Sequence, residues 1–252
     1  MYKYFEINEQ GHNVRCKIYC NEKVTPQKAV IFGTGFSGHK DNRAAEGFAQ
    51  KALSKYKDLI VVVFNWPAHA DDVKKKLVLA DCGTYLDLVI RAVRTKYGVQ
   101  ELYAYATSFG GYLMLKYISE HENPFRKIAL RCPAVDMYAV LSGTIMGTDA
   151  YEKVRKGKNV EVGFDRKITV THAFLESLKA NDLRGRDFSA EAQNILILHG
   201  TADEVVPFES GRSFALQQGI RFIPVEGADH RFQNPVHMSA ANQEVLRFFA
   251  FH

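Results

Sequence analysis

The stretch with the most chemical content is "LYAYATSFGGYL", where an apolar, β-rich run ends at Thr107 and Ser108, Phe109 and two glycines follow at once. A strand that turns sharply into a helix pushes the hydroxyl of its turn residue out above the sheet. Such a turn needs small neighbours, because strand and helix approach closely beside it. A serine hydroxyl is a poor nucleophile until a nearby base takes its proton. Two downstream segments offer the partners: "NILILHGTADEVVP" places Asp203 in the loop after a buried run, and "RFIPVEGADHRF" does the same for His230. In that arrangement His230 is the base, while Asp203 fixes the imidazole tautomer and stabilises the imidazolium. Each residue has a plainer role open to it. Ser108 can cap a helix, Asp203 can close an Asx-turn with Glu204 or Asp229 acting in its place, and His230 is one of nine histidines. The ordered occurrence of all three favours the relay. His199, at the end of its strand, reads as structural.

A second segment, "AVIFGTGFSGHKDN", satisfies G-x-G-x-x-G from Gly33 to Gly38. One reading is a cradle for a dinucleotide pyrophosphate, which calls for an acid at the end of the following strand to hold the ribose. That strand, "DLIVVVFNW", carries Asp58 at its start and ends in Asn65 and Trp66, so the fingerprint fails where it is most specific. The other reading is a loop that turns a main-chain N–H toward a developing oxyanion, with the residue after the nucleophile giving the second donor. The amides of Phe36 and Phe109 are the two nominated donors.

These loops need a scaffold. The chain has 252 residues, 46% hydrophobic and 24% charged, with a net charge of +5 and both signs interspersed. That describes an ordinary globular domain and gives little reason to expect nucleic-acid binding. "YKYFEI" and "VRCKIYC" alternate around Gly11 as an antiparallel strand pair. From Ala29 onward, short apolar runs ("AVIF", "DLIVVVF", "ELYAYAT", "KIALRC", "NILILHG", "RFIPV") alternate with helical periods around 43–56, 81–97, 109–120, 209–218 and 236–249. This alternation predicts a mostly parallel sheet with helices on both faces. Residues 134–189 break the rhythm: "YEKVRKGKNVEVGF" reads as a charged hairpin turning near Gly157, and "VTHAFLESLKAN" as a helix. The expected organisation is a core of residues 1–133 and 190–252 with a cap, 134–189, over the strand ends, where open α/β sheets bind ligands. No apolar run approaches the length of a membrane span, and "MYKYFEINEQ" lacks a basic segment followed by an apolar one. The four cysteines show no C-x-x-C or metal-like spacing. The expectation is a reduced, cytoplasmic domain working without metal or cofactor, with no nucleic-acid or membrane partner.

Taken together, these motifs resemble an α/β-hydrolase over essentially the whole length, in the chain order Ser, Asp, His. Within that superfamily the chain is similar to small bacterial cinnamoyl/feruloyl esterases and related serine acylhydrolases. The resemblance lies in "TGFSGHKD", with Thr34 where histidine is usual, "RCPAVDM", "HGTADEVVP" and "EGADHRF". It implies an eight-stranded sheet, a hairpin-and-helix cap, hydrolysis through an acyl-enzyme, and an aromatic acyl group held between sheet edge and cap. Three segments differ from the family pattern. The elbow is A-T-S-F-G and not G-H-S-x-G, "NWPAHADD" replaces a glycine-bearing D-x-x-G-x-G, and the cap aligns loosely.

Trp66 at the active edge and Tyr138, Phe164 and Phe174 in the cap, with Tyr151 beside them, are the candidate pocket aromatics. Aromatics in a cap also serve as its own small core. The basic run Lys153, Arg155, Lys156 and Lys158 reads as a solvated face. The sequence therefore predicts a serine hydrolase of a small-molecule carboxylic ester. A peptidase or acyltransferase with the same machinery, and a non-catalytic small-molecule binder, remain open beside it.

Overall fold

The computed structural model describes residues 1–164 and 166–251. The chain opens with β1 (Tyr2–Glu9) and β2 (His12–Tyr19), an antiparallel hairpin whose two turn residues, Gln10 and Gly11, have φ of 53° and 73°. Both values suit a tight two-residue turn, which demands left-handed backbone at each central position. There follow β3 (Lys28–Gly33), α1 (Arg43–Lys55), β4 (Leu59–Phe64), α2 (Leu79–Tyr97), β5 (Glu101–Thr107), α3 (Phe109–Glu120) and β6 (Lys127–Arg131). After the inserted segment, which holds β7 (Val160–Val162) and β8 (Ile168–Val170), come β9 (Ile195–Gly200), α7 (Phe208–Gln218), β10 (Arg221–Val225) and α8 (Pro235–Phe249).

The main sheet has eight strands in the order β1-β2-β4-β3-β5-β6-β9-β10. The β1–β2 and β2–β4 pairs are antiparallel, and every pair from β4 to β10 is parallel. Strand residues alternate between two apolar layers. Val30, Phe32, Tyr105 and Ala129 pack with α1 and α8, whereas Ile31, Val62, Ala104 and Leu130 pack with α2, α3 and the insertion. Burial on both faces explains why these strands read as continuous apolar runs. On α1, Ala45, Phe48, Ala49 and Ala52 make the buried stripe, and Asn42 caps it by accepting from the Ala45 N–H at 3.1 Å.

Because the central strands are parallel, Gly33, Phe64, Thr107, Arg131 and Gly200 all end at one edge. The loops that leave them are therefore neighbours in space.

The insertion departs from its sequence reading. "YEKVR" belongs to α5 (Gly147–Arg155), preceded by α4 (Met137–Ala139) and a π-type turn over Val140–Ile145. Gly157, at φ 80°, closes this helix by giving its N–H to Val154 O at 2.8 Å. A glycine in left-handed backbone serves a helix end as readily as a hairpin turn, so the two share one sequence signal. The hairpin lies further on, between β7 (Val160–Val162) and β8 (Ile168–Val170), which form their own two-stranded sheet. α6 (His172–Ala180) follows, capped by Thr171.

Candidate functional site

Ser108 stands between β5 and α3 with φ 52° and ψ −119°, a conformation costly for a residue with a Cβ. Its N–H is held by Arg131 O at 3.0 Å, and its carbonyl accepts from Tyr112 and Ala134 at 3.0 and 3.2 Å. The hydroxyl makes no cap to the helix, which removes the helix-cap reading of this serine. The alanine of the elbow is accommodated opposite a glycine: Ala106 pairs with Gly33, and a methyl on Gly33 would come within 3.1 Å of the Ala106 Cβ. Gly110 is fixed more tightly, since a Cβ there would stand 2.5 Å from Gly33 O and 2.6 Å from Thr34 O.

Asp203 and His230, 27 residues apart, meet with His230 Nδ1 2.8 Å from Asp203 Oδ2. The carboxylate has no exposed side-chain surface. Its other oxygen accepts from the Val205 and Val206 amides at 2.9 and 2.8 Å, so Asp203 closes an Asx-turn and faces the imidazole at once. Two more residues join here: His199, which the sequence reads as structural, and Glu204, which it offers only in place of Asp203. His199 Nε2 lies 3.2 Å from Asp203 Oδ2, and Glu204 accepts the His230 main-chain N–H at 3.1 Å. Burial opposes the charge on Asp203, but hydrogen bonds from His199 and His230 outweigh it and hold the carboxyl well below the usual range.

The Cys132 sulfur, Asp203 and His230 place ligand-type atoms within 4.8 Å of one another. Burial, with Asp203 beside it, pushes the Cys132 thiol well up. A metal needs the thiolate, so these three suit hydrogen-bonded neighbours better than a metal centre.

The glycine loop lies against the serine, with a Cβ on Gly35 reaching to 3.3 Å from Ser108 Cβ. The Phe109 N–H, in the first turn of α3, has no partner within the helix. Among the described residues the Phe36 N–H has none in the main chain either. Behind the pair sits His69, stacked on the Phe109 ring at 6.1 Å and edge-on to Phe36 at 5.8 Å.

A cavity of about 720 Å³ opens over these groups, and Phe36, Ser108, Phe164 and His230 all line it. Ser108 and His230 share it without a hydrogen bond between their side chains. The other three candidate pocket aromatics lie elsewhere. Trp66 is fully buried, edge-on to Phe64, and its Nε1–H donates to Thr34 O at 2.9 Å, so it braces the glycine loop from behind. Phe174 is buried edge-on to Phe109, and Tyr138 shares a 2.9 Å hydrogen bond with Tyr151 inside the insertion. Trp66 and Phe174 are satisfied in the core, where an aromatic ring gains most, and Tyr138 packs half-buried against it. Phe164 alone of the four reaches the opening. The basic side chains at the end of α5 do not line the cavity.

No curated protein sequence matches the chain. Among solved structures, Est1E from Butyrivibrio proteoclasticus, with ferulic acid bound, superposes with a TM-score of 0.78 at 17% identity, covering 98% of this chain and 99% of that one. Mouse alpha/beta hydrolase domain-containing protein 10 gives 0.73 at 12% identity, covering 98% of each chain. The esterase domain of a Rhodothermus marinus protein gives 0.69 at 18%, covering 99% of this chain and 98% of that one. At these identities the likeness establishes the fold, which is that of the α/β-hydrolases. The sequence model of the prolyl oligopeptidase family matches residues 68–252, a span containing Ser108, Asp203 and His230, and the chain belongs to that family.

Proposed function

We propose that this α/β-hydrolase is a serine hydrolase that cleaves a small-molecule carboxylic ester through an acyl-enzyme. The observation that carries the reading is the 2.8 Å contact between His230 and Asp203 beside the cavity that Ser108 also lines. With Nδ1 given to Asp203, His230 Nε2 takes the Ser108 proton as the hydroxyl oxygen attacks the ester carbonyl. The Phe36 and Phe109 amides receive the negative charge on the carbonyl oxygen. Collapse expels the alcohol, protonated by His230. Water, deprotonated by the same nitrogen, then attacks the acyl carbon and frees the acid and the serine. Hydrogen bonds of such relays are commonly long before substrate arrives, so an unformed Ser108–His230 bond is compatible with it. Each oxyanion donor is worth about 10²–10³ in turnover. We assign residues 134–189 as the cap, with Phe164 as the aromatic that meets the acyl group.

The family match supports a second reading, in which the acyl donor is a peptide and the leaving group an amine. A fluorophosphonate probe tests what the two share: a mass adduct is expected on the peptide holding Ser108 and is lost in Ser108→Ala. An unlabelled, correctly folded protein would overturn both in favour of a binder. For a labelled protein, p-nitrophenyl esters and ethyl ferulate against aminoacyl anilides separate esterase from peptidase.

A further inference from the structure

We propose that Arg131 anchors an anion subsite in this cavity, so that the ester taken by the chain carries a second, uncleaved carboxylate or phosphate. Arg131 ends β6, and its carbonyl holds the Ser108 N–H at 3.0 Å, which fixes its backbone beside the nucleophile. Ala129, two residues earlier, packs on the α1/α8 side of the sheet, and strand alternation sends the Arg131 side chain the same way.

The residue is only 5% exposed, yet its surroundings are soft. Nη1 meets the thioether sulfur of Met238 at 2.9 Å, the guanidinium carbon lies 5.1 Å from the centre of the Phe232 ring, and Nε has no hydrogen-bond partner. Burial raises the pKa of the neighbouring Tyr105 phenol, with Arg131 acting against it, so that hydroxyl is neutral. Among the described residues no carboxylate comes within ion-pair distance of Arg131. A guanidinium withdrawn from water with a thioether, a ring and a phenol for company is a charge without a counter-ion, which is strongly unfavourable unless an anion arrives.

The same cavity wall supplies the rest of an anion site. Arg131 and Met238 line it together with Ser108 and His230. The N-terminal ends of α1 and α8 also face it, through Asn42, Arg43 and Pro235, and α8 has no acid in its first turn. Asp41, the acid lining it among the described residues, is already engaged by Lys17 at 3.4 Å, Lys40 at 3.2 Å and the Tyr4 hydroxyl at 2.7 Å. A planar guanidinium matches the oxygens of a carboxylate or phosphate two at a time.

Because the substrate class rests on the serine-hydrolase reading, the test separates binding from turnover. Adipate and inorganic phosphate are titrated calorimetrically into the full chain, into Arg131→Met and, should that variant fold poorly, into Arg131→Lys. At least one anion is expected to bind the native chain and to bind Arg131→Met tenfold or more weakly, with Arg131→Lys between them. Whichever of the two binds more tightly identifies the group. In parallel, 4-nitrophenolate release is compared for mono-(4-nitrophenyl) adipate and its methyl-capped counterpart, and the ratio of their kcat/KM values is expected to fall tenfold or more in Arg131→Met. Failure of both anions to bind, or equal binding by native chain and variant, overturns the subsite whether or not esters are cleaved. Anion binding that depends on Arg131, in a protein that neither cleaves esters nor labels at Ser108, upholds the subsite and overturns the hydrolase reading instead.

Discussion

His199 Nε2 approaches the same Asp203 oxygen that holds His230 Nδ1, at 3.2 Å against 2.8 Å. One carboxylate oxygen thus serves two imidazoles, and His199 Nε2 also lies 3.1 Å from Val206 O, which ties the ring to the loop that carries Asp203. His199 never reaches the cavity. On the serine-hydrolase reading, its effect on the reaction passes through Asp203.

His199→Phe and His199→Ala should therefore lower kcat more than they raise KM. The expected loss is about ten- to a hundredfold, in line with about 1.5–3 kcal/mol for a hydrogen bond to a charged group. Without this donor the Asp203 pKa returns toward the usual range, so the acid limb of the pH–rate profile moves to higher pH. A kcat/KM profile from pH 4 to 8 checks this. A fall in activity with an unmoved acid limb would mean that the ring merely fills space.

His69 gives the fold a dependence on acid. Burial drives its pKa down from 6.5 to about 4, with the hydrogen bond to Pro67 O only partly opposing. Below pH 6.5 the unfolded chain binds a proton that the folded chain refuses. The stability is fully present above that pH and is lost as pH falls toward 4. At 1.36 kcal/mol per unit the loss is roughly 3 kcal/mol. Urea unfolding of the native chain and of His69→Phe at pH 7.5 and pH 5 tests it. The native chain should lose more stability between the two, and parallel losses would exclude His69 as the cause.

The serine elbow was legible because its signals are local: an apolar run, a serine and two glycines in succession define where β5 stops and α3 begins. The meeting of Asp203 with His230 was legible for a related reason, since parallel strands bring every strand-end loop to one edge. What the sequence could not convey is direction. Trp66 follows a strand at that edge as a pocket residue would, yet its indole turns inward to Thr34 O. Arg131 reads as the penultimate letter of "KIALRC", and only the register that sets it on the Ala129 side reveals a buried cation in the cavity wall. His199 was read as structural, which its burial supports, but the Asp203 oxygen beside it becomes visible only when the loop after β9 is folded back.

The segment "NWPAHADD" has a stability cost readable from its backbone. Ala68 and Ala70 both sit in left-handed conformation, at φ 62° and 54°. They fall where the D-x-x-G-x-G pattern of similar proteins has its glycines, so the loop keeps its shape and bears the strain. Left-handed backbone costs a residue with a Cβ about 1–2 kcal/mol, while glycine loses about 0.5–1 kcal/mol more entropy on folding. Ala68→Gly and Ala70→Gly should each stabilise the fold by about 0.5–1 kcal/mol, measured by urea unfolding. As a control in the opposite sense, Gly47→Ala on α1, where a Cβ meets nothing within 4 Å, should stabilise by a similar amount through helix propensity. Destabilisation by both loop glycines would show that the alanine methyls pack to a benefit exceeding the strain.

Trp66 and Gly110 both bear on the glycine loop at Thr34 O, yet their substitutions should differ in kind. Trp66→Phe deletes the donor to Thr34 O and leaves that buried carbonyl unpaired, a cost of about 1–3 kcal/mol. On the proposed reading this loop presents the Phe36 N–H to the oxyanion, and it then loses its brace. Turnover should fall about tenfold with KM little changed, because the amide's task is to meet charge that develops only in the transition state. Gly110→Ala instead drives a methyl into Gly33 O and Thr34 O, two main-chain atoms that cannot swing aside. It should displace the loop and the serine together, abolishing both turnover and fluorophosphonate labelling, whereas Trp66→Phe should still label at Ser108. If Trp66→Phe raised KM and left kcat intact, the indole would be acting on substrate binding, and the loop would not depend on it for its position.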